Sequence, residues 1–184
     1  MSESVEIQPW LFLIEPYEGE SLSHFLGRFR RENELSTSGL GREAGIGAVV
    51  ARWEKFYLNP FPSRQELEAL ATVVQVDAER LREMLPPQGV GMKHQPIRLC
   101  GACYAQVPCH QIEWQFKTAV KCDRHQLHLH TECPKCKAKF KIPALWVDGH
   151  CHRCFMTFAQ MAEYQKPCGP DTKNPPPELP SLSF

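Results

Sequence analysis

The chain has 184 residues, 21 Lys/Arg against 21 Asp/Glu, zero formal charge and 42% apolar residues. That is room for one ordinary domain or two small ones, and no stretch is long and apolar enough to cross a membrane. The balance is uneven, since residues 1–95 carry ten Lys/Arg against fourteen Asp/Glu and residues 96–154 carry nine against four. With seven cysteines ionised around two divalent cations the second stretch falls to about plus two, so a strong polyanion-binding field is not expected. The opening Met-Ser-Glu-Ser-Val-Glu has neither a basic start nor an apolar run to direct export, which implies a cytoplasmic setting.

In chain order, Pro9 to Ile14 reads as a short buried extended segment. Ser21 is a good N-cap, and Leu22, Phe25, Leu26 and Phe29 follow at the spacing of an amphipathic helix ending near Asn33. Ser36 to Ala44 predicts a short helix, Gly45-Ile46-Gly47 a tight turn, and Ala48 to Tyr57 a helix burying Val49, Val50, Trp53 and Phe56. Short helix, glycine turn and helix make a helix-turn-helix. Ser63 and Glu66 form a capping box for a helix with Leu67, Leu70, Ala71 and Val74 on one side, and Asp77 caps a last helix with Leu81, Met84 and Leu85. Ile112, Trp114 and Phe116 alternate as in a strand, Ile142 to Val147 is a second apolar strand candidate, and residues 155–165 predict a short helix through Phe155, Phe158, Met161 and Ala162. Six of the eighteen residues from Pro167 to Phe184 are proline, a composition expected to be disordered in isolation.

Four metal knuckles lie in a row: Cys100-Gly-Ala-Cys103, Cys122-Asp-Arg-His125, Cys133-Pro-Lys-Cys136 and Cys151-His-Arg-Cys154. Two intervening residues let both side chains of a pair turn to one ion, and two knuckles complete a tetrahedral zinc site. Paired in order they predict two Zn2+ per chain, held by Cys100, Cys103, Cys122 and His125 and by Cys133, Cys136, Cys151 and Cys154. His128 and His130 are near enough to compete with His125, and the two-residue spacing decides for His125. Nine cysteines is an odd number for a disulfide framework, and one redox site does not use four consecutive knuckles. Cys109 and Cys168 are left as plain thiols.

The predicted fold is therefore α+β and zinc-stabilised: a mainly α helix-turn-helix domain over 1–88, a linker over 89–97, zinc ribbons over 98–130 and 131–166, and the proline-rich segment 167–184. The ribbons are too small to persist by burial alone. Structural zinc supplies about 10 to 16 kcal/mol of apparent binding energy at neutral pH, more than so small a core can raise.

Two functional classes can be weighed on these residues alone. Lys135, Lys137, Lys139 and Lys141, spaced as on one face of a strand, fit either a solvated face or a phosphate contact. With Arg52 and Lys55 on the candidate recognition helix they allow a stand-alone nucleic-acid-binding regulator. A zinc deaminase would use His130-Thr-Glu132, but the proline that should precede its downstream pair is missing and Cys133/Cys136 would be idle.

The run Pro16 to Arg31, ahead of a helix-turn-helix and paired ribbons, resembles the TniQ family of transposition targeting proteins. The runs Arg98 to Tyr104, Ile112 to Gln115 and Pro143 to Trp146 are similar to the short TniQ proteins of cyanobacterial type V-K CRISPR-associated transposons. The resemblance implies a non-catalytic adaptor between a single-protein CRISPR effector with its guide RNA, on target DNA, and the AAA+ ATPase TnsC, which recruits the transposase. It implies RNA contact, only indirect contact with target DNA, and at family level a host factor such as a small-subunit ribosomal protein. Candidate contact residues are Trp10, Arg28, Arg31, Arg52, Lys135, Lys137, Lys139 and Lys141.

Overall fold

A computed structural model describes residues 11–169. Trp10, the start of the predicted 9–14 segment and residues 170–184 lie outside the described residues. Within them are six helices: α1 (Leu22–Glu32), α2 (Thr37–Glu43), α3 (Val49–Glu54), α4 (Arg64–Val74), α5 (Ala78–Glu83) and α6 (Gly101–Gln106). The two-residue strands β1 (Lys121–Cys122) and β2 (Leu127–His128) pair antiparallel, and 3-10 turns occupy Ile112–Gln115, Pro143–Leu145 and Gln160–Tyr164. No helix among the described residues is long and apolar enough to cross a membrane.

Four of the first five helices open on a capping side chain, and α3 opens on Ala48 without one. The side chains of Ser21, Ser36 and Asp77 each accept from a first-turn amide, and Ser63 and Glu66 complete the reciprocal capping box. Their apolar stripes meet in a core that includes Leu22, Phe25, Leu26, Phe29, Leu40, Val50, Trp53, Leu67, Leu70, Leu81 and Met84. Arg30 and Glu54 lock α1 to the end of α3 through Nε to Oε1 at 2.5 Å and Nη2 to Oε2 at 3.1 Å.

Several expectations are corrected. The segment near residue 11 is not buried throughout, because Leu11 and Ile14 pack on the core while Phe12 and Leu13 stay exposed. The helix expected to reach Tyr57 stops at Glu54, where Phe56 turns left-handed at φ 61° and the Tyr57 amide returns to the Arg52 carbonyl. That reversal sends Phe56 into the core of the second half, beside His110 at 5.6 Å between rings.

The expected ribbon strands at 112–116 and 142–147 are 3-10 turns instead. Trp114 and Trp146 are nevertheless buried as core. The segment 155–165 forms only the 3-10 turn Gln160–Tyr164, with Phe158 and Met161 buried and Phe155 exposed. The α+β, metal-stabilised architecture stands, with little strand in it.

The two halves meet across α1, which is two-faced. Leu22, Phe25, Leu26 and Phe29 enter the helical core. Ser23, Gly27 and Arg31, four residues apart, form a second stripe that seats the turn Pro143–Leu145. Ser23 Oγ accepts from the Ala144 amide at 3.2 Å, and Arg31 donates to the carbonyls of Ala144 and Trp146 at 2.6 and 2.8 Å. A Cβ on Gly27 would stand 2.2 Å from the Ala144 oxygen, so only glycine allows this approach. Deeper in the seam the Ser21 amide donates to the His110 carbonyl at 2.8 Å, and Ser21 Oγ lies 2.9 Å from His110 Nδ1.

Candidate metal centre

Three of the four knuckles share one backbone shape. The amide of the residue after each second ligand returns to the carbonyl of the first cysteine: Gln126 to Cys122 at 2.8 Å, Lys137 to Cys133 at 2.9 Å and Phe155 to Cys151 at 3.0 Å. Gln126, Lys137 and Phe155 accordingly sit at φ 53°, 62° and 60°, a left-handed conformation that side chains other than glycine resist. The remaining knuckle opens a helix. Cys100 precedes α6, the Tyr104 amide returns to the Cys100 carbonyl at 3.0 Å, and Cys103 lies one turn on.

Folding in this way brings Cys100, Cys103, Cys122 and His125 together, and separately Cys133, Cys136, Cys151 and Cys154; within each quartet the candidate ligand atoms all lie within 4.8 Å of one another. In the first, Cys103 Sγ is 3.4 Å from Cys122 Sγ, and His125 Nδ1 is 3.8, 3.2 and 3.7 Å from the sulfurs of Cys100, Cys103 and Cys122. In the second, the Cys133–Cys154 and Cys136–Cys151 sulfurs are each 3.5 Å apart. A tetrahedron with metal–sulfur bonds of about 2.3 Å and metal–nitrogen bonds of about 2.0 Å has edges of roughly 3.5 to 3.8 Å. The quartets fit a divalent ion of that size. They do not fit disulfides, whose sulfurs bond at about 2.05 Å.

The donor chemistry points the same way. The hydrogen bond with Cys103 draws the Cys100 thiol down to about 5, while that same bond raises Cys103 and burial raises Cys122. Burial pushes Cys133 up to about 12. Crowded, buried sulfurs cannot all ionise by themselves, and a cation removes that conflict.

Groups outside the first quartet orient it. Gln165 Oε1 accepts from the amides of Gly101 and Ala102 at 2.8 and 3.3 Å, and Gln165 Nε2 donates to the His128 carbonyl at 2.9 Å, tying the end of the described chain across the first site. Gly101 permits this closeness, because a Cβ there would lie 2.5 Å from the Ala162 nitrogen. The Gln106 carboxamide lies 3.1 Å from His125 Nε2, placed to satisfy the second ring nitrogen when Nδ1 faces a metal.

His128 is exposed on β2 and His130 Nε2 lies 2.8 Å from the Met161 carbonyl, so neither replaces His125. Cys109 is buried away from both quartets, accepts from Gln111 Nε2 at 3.0 Å and is pushed up to about 12 by burial. Cys168 is half-buried beside Gln126, whose carbonyl takes its amide at 2.8 Å.

The other predicted contact residues are spread over the surface and the seam. Arg28 donates to both Glu20 carboxylate oxygens, at 3.0 and 2.8 Å, and lies 4.1 Å over the Tyr17 ring. Arg31 is spent on the seam, and Arg52 donates to the Asn59 carbonyl. Lys135, Lys137, Lys139 and Lys141 are exposed on the second quartet's loops, Lys139 2.8 Å from Glu132. They do not share a strand face as expected, because Lys137 occupies the left-handed corner of the knuckle.

Two buried polar residues escaped the sequence reading. Gln115, fully buried, accepts from the Arg98 amide at 2.8 Å and donates to the Lys93 carbonyl at 2.7 Å, and Arg98 donates to the carbonyls of Trp114 and Phe116 at 2.9 and 2.8 Å. Together they anchor residues 93–98 to the second half. A polar side chain flanked by Trp114 and Phe116 was the available signal.

A helix-turn-helix unit sharing a seam with two Cys/His quartets that can each hold a metal ion defines a metal-knuckle protein. The TniQ family model matches residues 11–129, well over half of the chain, which therefore belongs to the TniQ family and is a transposition-associated protein. A comparison with curated proteins finds no match.

Proposed function

We infer that this chain is a non-catalytic adaptor in RNA-guided DNA transposition, holding two Zn2+. It joins a single-protein CRISPR effector and guide RNA on target DNA to the AAA+ ATPase TnsC, and through it to the transposase. The observation that carries the reading is the closure of both quartets by four protein ligands each. A catalytic zinc keeps one position open for water or substrate, whereas a closed set supplies a cross-link. Cys100, Cys103, Cys122 and His125 would hold one ion and Cys133, Cys136, Cys151 and Cys154 the other. What the ions supply is shape, so that docking surfaces need little ordering on association.

The regulator alternative is weaker on α3. It is six residues long, its Glu54 is buried against Arg30, and Arg52 is engaged by Asn59, which leaves Lys55 as its one cation without a partner among the described residues. The test is co-purification at low salt with TnsC and with a guide-RNA effector encoded beside this chain. Association with both is expected. Failure to bind either, together with salt-sensitive, sequence-selective duplex binding by the isolated chain, would replace the adaptor by the regulator.

A further inference from the structure

The chain that leaves the second quartet returns to the first. Its root is held at the Cys151/Cys154 knuckle, where Thr157 bridges His150 and the Phe158 amide donates to the Gly149 carbonyl at 2.7 Å. From there residues 161–168 cross both knuckles of the other quartet.

The first crossing is at α6. Cys100 is the N-cap of that helix but makes no side-chain capping bond. Helix geometry leaves the Gly101 and Ala102 amides without partners in their own turn, and Gln165 Oε1 takes both, at 2.8 and 3.3 Å, while lying 3.6 Å from Cys100 Sγ. The missing local cap is thus supplied from far along the chain. On the other flank of Cys100, Leu99 exchanges backbone bonds with His130, whose Nε2 lies 2.8 Å from the Met161 carbonyl.

The second crossing is at the hairpin that carries Cys122 and His125. The His128 amide donates to the Lys166 carbonyl at 2.9 Å, Pro167 bridges Leu127, and the Cys168 amide donates to the Gln126 carbonyl at 2.8 Å, so residues 166–168 line the outer edge of β2. Gln165, buried between the two crossings, also donates from Nε2 to the His128 carbonyl. One side chain therefore joins α6 to β2.

An ion held by four protein ligands leaves only when a knuckle opens locally. Here neither knuckle of the first quartet can swing outward without breaking buried bonds to 161–168, and that stretch takes its position from the second quartet. We propose that residues 161–168 are a strap through which the second metal centre governs how long the first retains its ion, with Gln165 as the positioning residue. The strap rests on both quartets holding zinc and is independent of what the adaptor joins.

The test uses the full chain loaded with Co2+ in place of zinc. A centre of three sulfurs and a nitrogen absorbs at different wavelengths from one of four sulfurs, so each can be followed alone while excess EDTA strips the metal. In Gln165→Leu the first centre should lose its ion about tenfold faster or more, with the second centre's rate unchanged. Cys133→Ser, which removes the second centre, should speed the first to a similar degree, and adding Gln165→Leu to it should change the rate less than about twofold further. Should the leucine variant not fold, Gly101→Ala carries the test, because its Cβ would lie 2.5 Å from the Ala162 nitrogen and 2.7 Å from the Phe158 oxygen and press the strap off α6. An unchanged first-centre rate, acceleration of both centres together in Gln165→Leu, or a first centre indifferent to Cys133→Ser would each overturn the strap alone. A parent chain that binds fewer than two ions would overturn it together with the zinc assignment.

Discussion

Replacing Gly27 by alanine tests the seam between the halves, because helix propensity and packing predict opposite signs. In the middle of α1, Gly→Ala alone should stabilise by about 1 kcal/mol. The added Cβ, however, would lie 2.2 Å from the Ala144 oxygen, 2.5 Å from its Cα and 2.7 Å from its carbonyl carbon. All three are backbone atoms, so no side chain can rotate aside, and α1 and the turn must separate by about 1 Å to regain ordinary contact. Separation also stretches the Arg31 bonds to Ala144 and Trp146. Overpacking costs about 1 to 3 kcal/mol, and each charge-assisted bond contributes about 1.5 to 3. Counting one bond's worth lost between the two stretched contacts, and crediting propensity, the net loss is about 2 to 5 kcal/mol. Urea unfolding with zinc in excess, followed by circular dichroism and tryptophan fluorescence, should show a midpoint lower by about 1 to 2 M. Arg31→Ala removes the same bonds without the clash, so the double variant should lose less than the sum of the singles. A Gly27→Ala chain as stable as the parent, or more stable, would mean that α1 and the turn do not touch as described.

Elemental analysis should return two zinc ions per chain, and Cys133→Ser should return one, with chelators unfolding the second half. Lys137→Gly should stabilise the chain by about 0.5 to 1 kcal/mol in thermal unfolding, because the left-handed corner costs a side chain about 1 to 2 kcal/mol and glycine's extra unfolded-state freedom returns only part of it. A stability loss there would contradict the knuckle geometry. His24 is buried and its pKa is lowered, burial outweighing the nearby Glu20, so the folded state favours the neutral ring. Its contribution is complete above the ordinary value of 6.5 and is lost as pH falls toward the lower folded value. His24→Gln should therefore flatten the fall in urea stability below pH 6.5, and an unchanged slope would refute the assignment.

What could be read from the residues was what local chemistry decides. Caps at Ser21, Ser63 and Asp77 act within one turn, and the two-residue knuckle spacing fixes which side chains converge. The strands at 112–116 and 142–147 were misread because so brief an apolar alternation does not distinguish a strand from a 3-10 turn enclosed on all sides. Trp114 and Gln115 are both fully buried, so burial there follows no two-residue period. The left-handed corners at Gln126, Lys137 and Phe155 were not legible, since none is glycine and the strain is tolerated only because the knuckle closes. Ser23, Gly27 and Arg31 lie off the apolar stripe of α1 and carry no apolar pattern of their own. Their partners, Ala144 and Trp146, lie more than a hundred residues away, and no local pattern announces them.

That second stripe joins the two halves. The turn it grips, Pro143–Leu145, lies in the loop between the Cys133/Cys136 and Cys151/Cys154 knuckles, and Trp146 at its end packs on His24, His110, Tyr104 and Phe158. Closing the second quartet pins both ends of that loop and so sets the position of the carbonyls that Arg31 holds. A metal ion held there would reach α1 through closure of the loop and two charge-assisted bonds, without needing a large apolar interface. Stripping the second site should loosen amide protection in α1 before it disturbs α4, which has no contact with the loop strong enough to transmit the change. Equal loss of protection in both helices would place the coupling in the helical core and not in the seam.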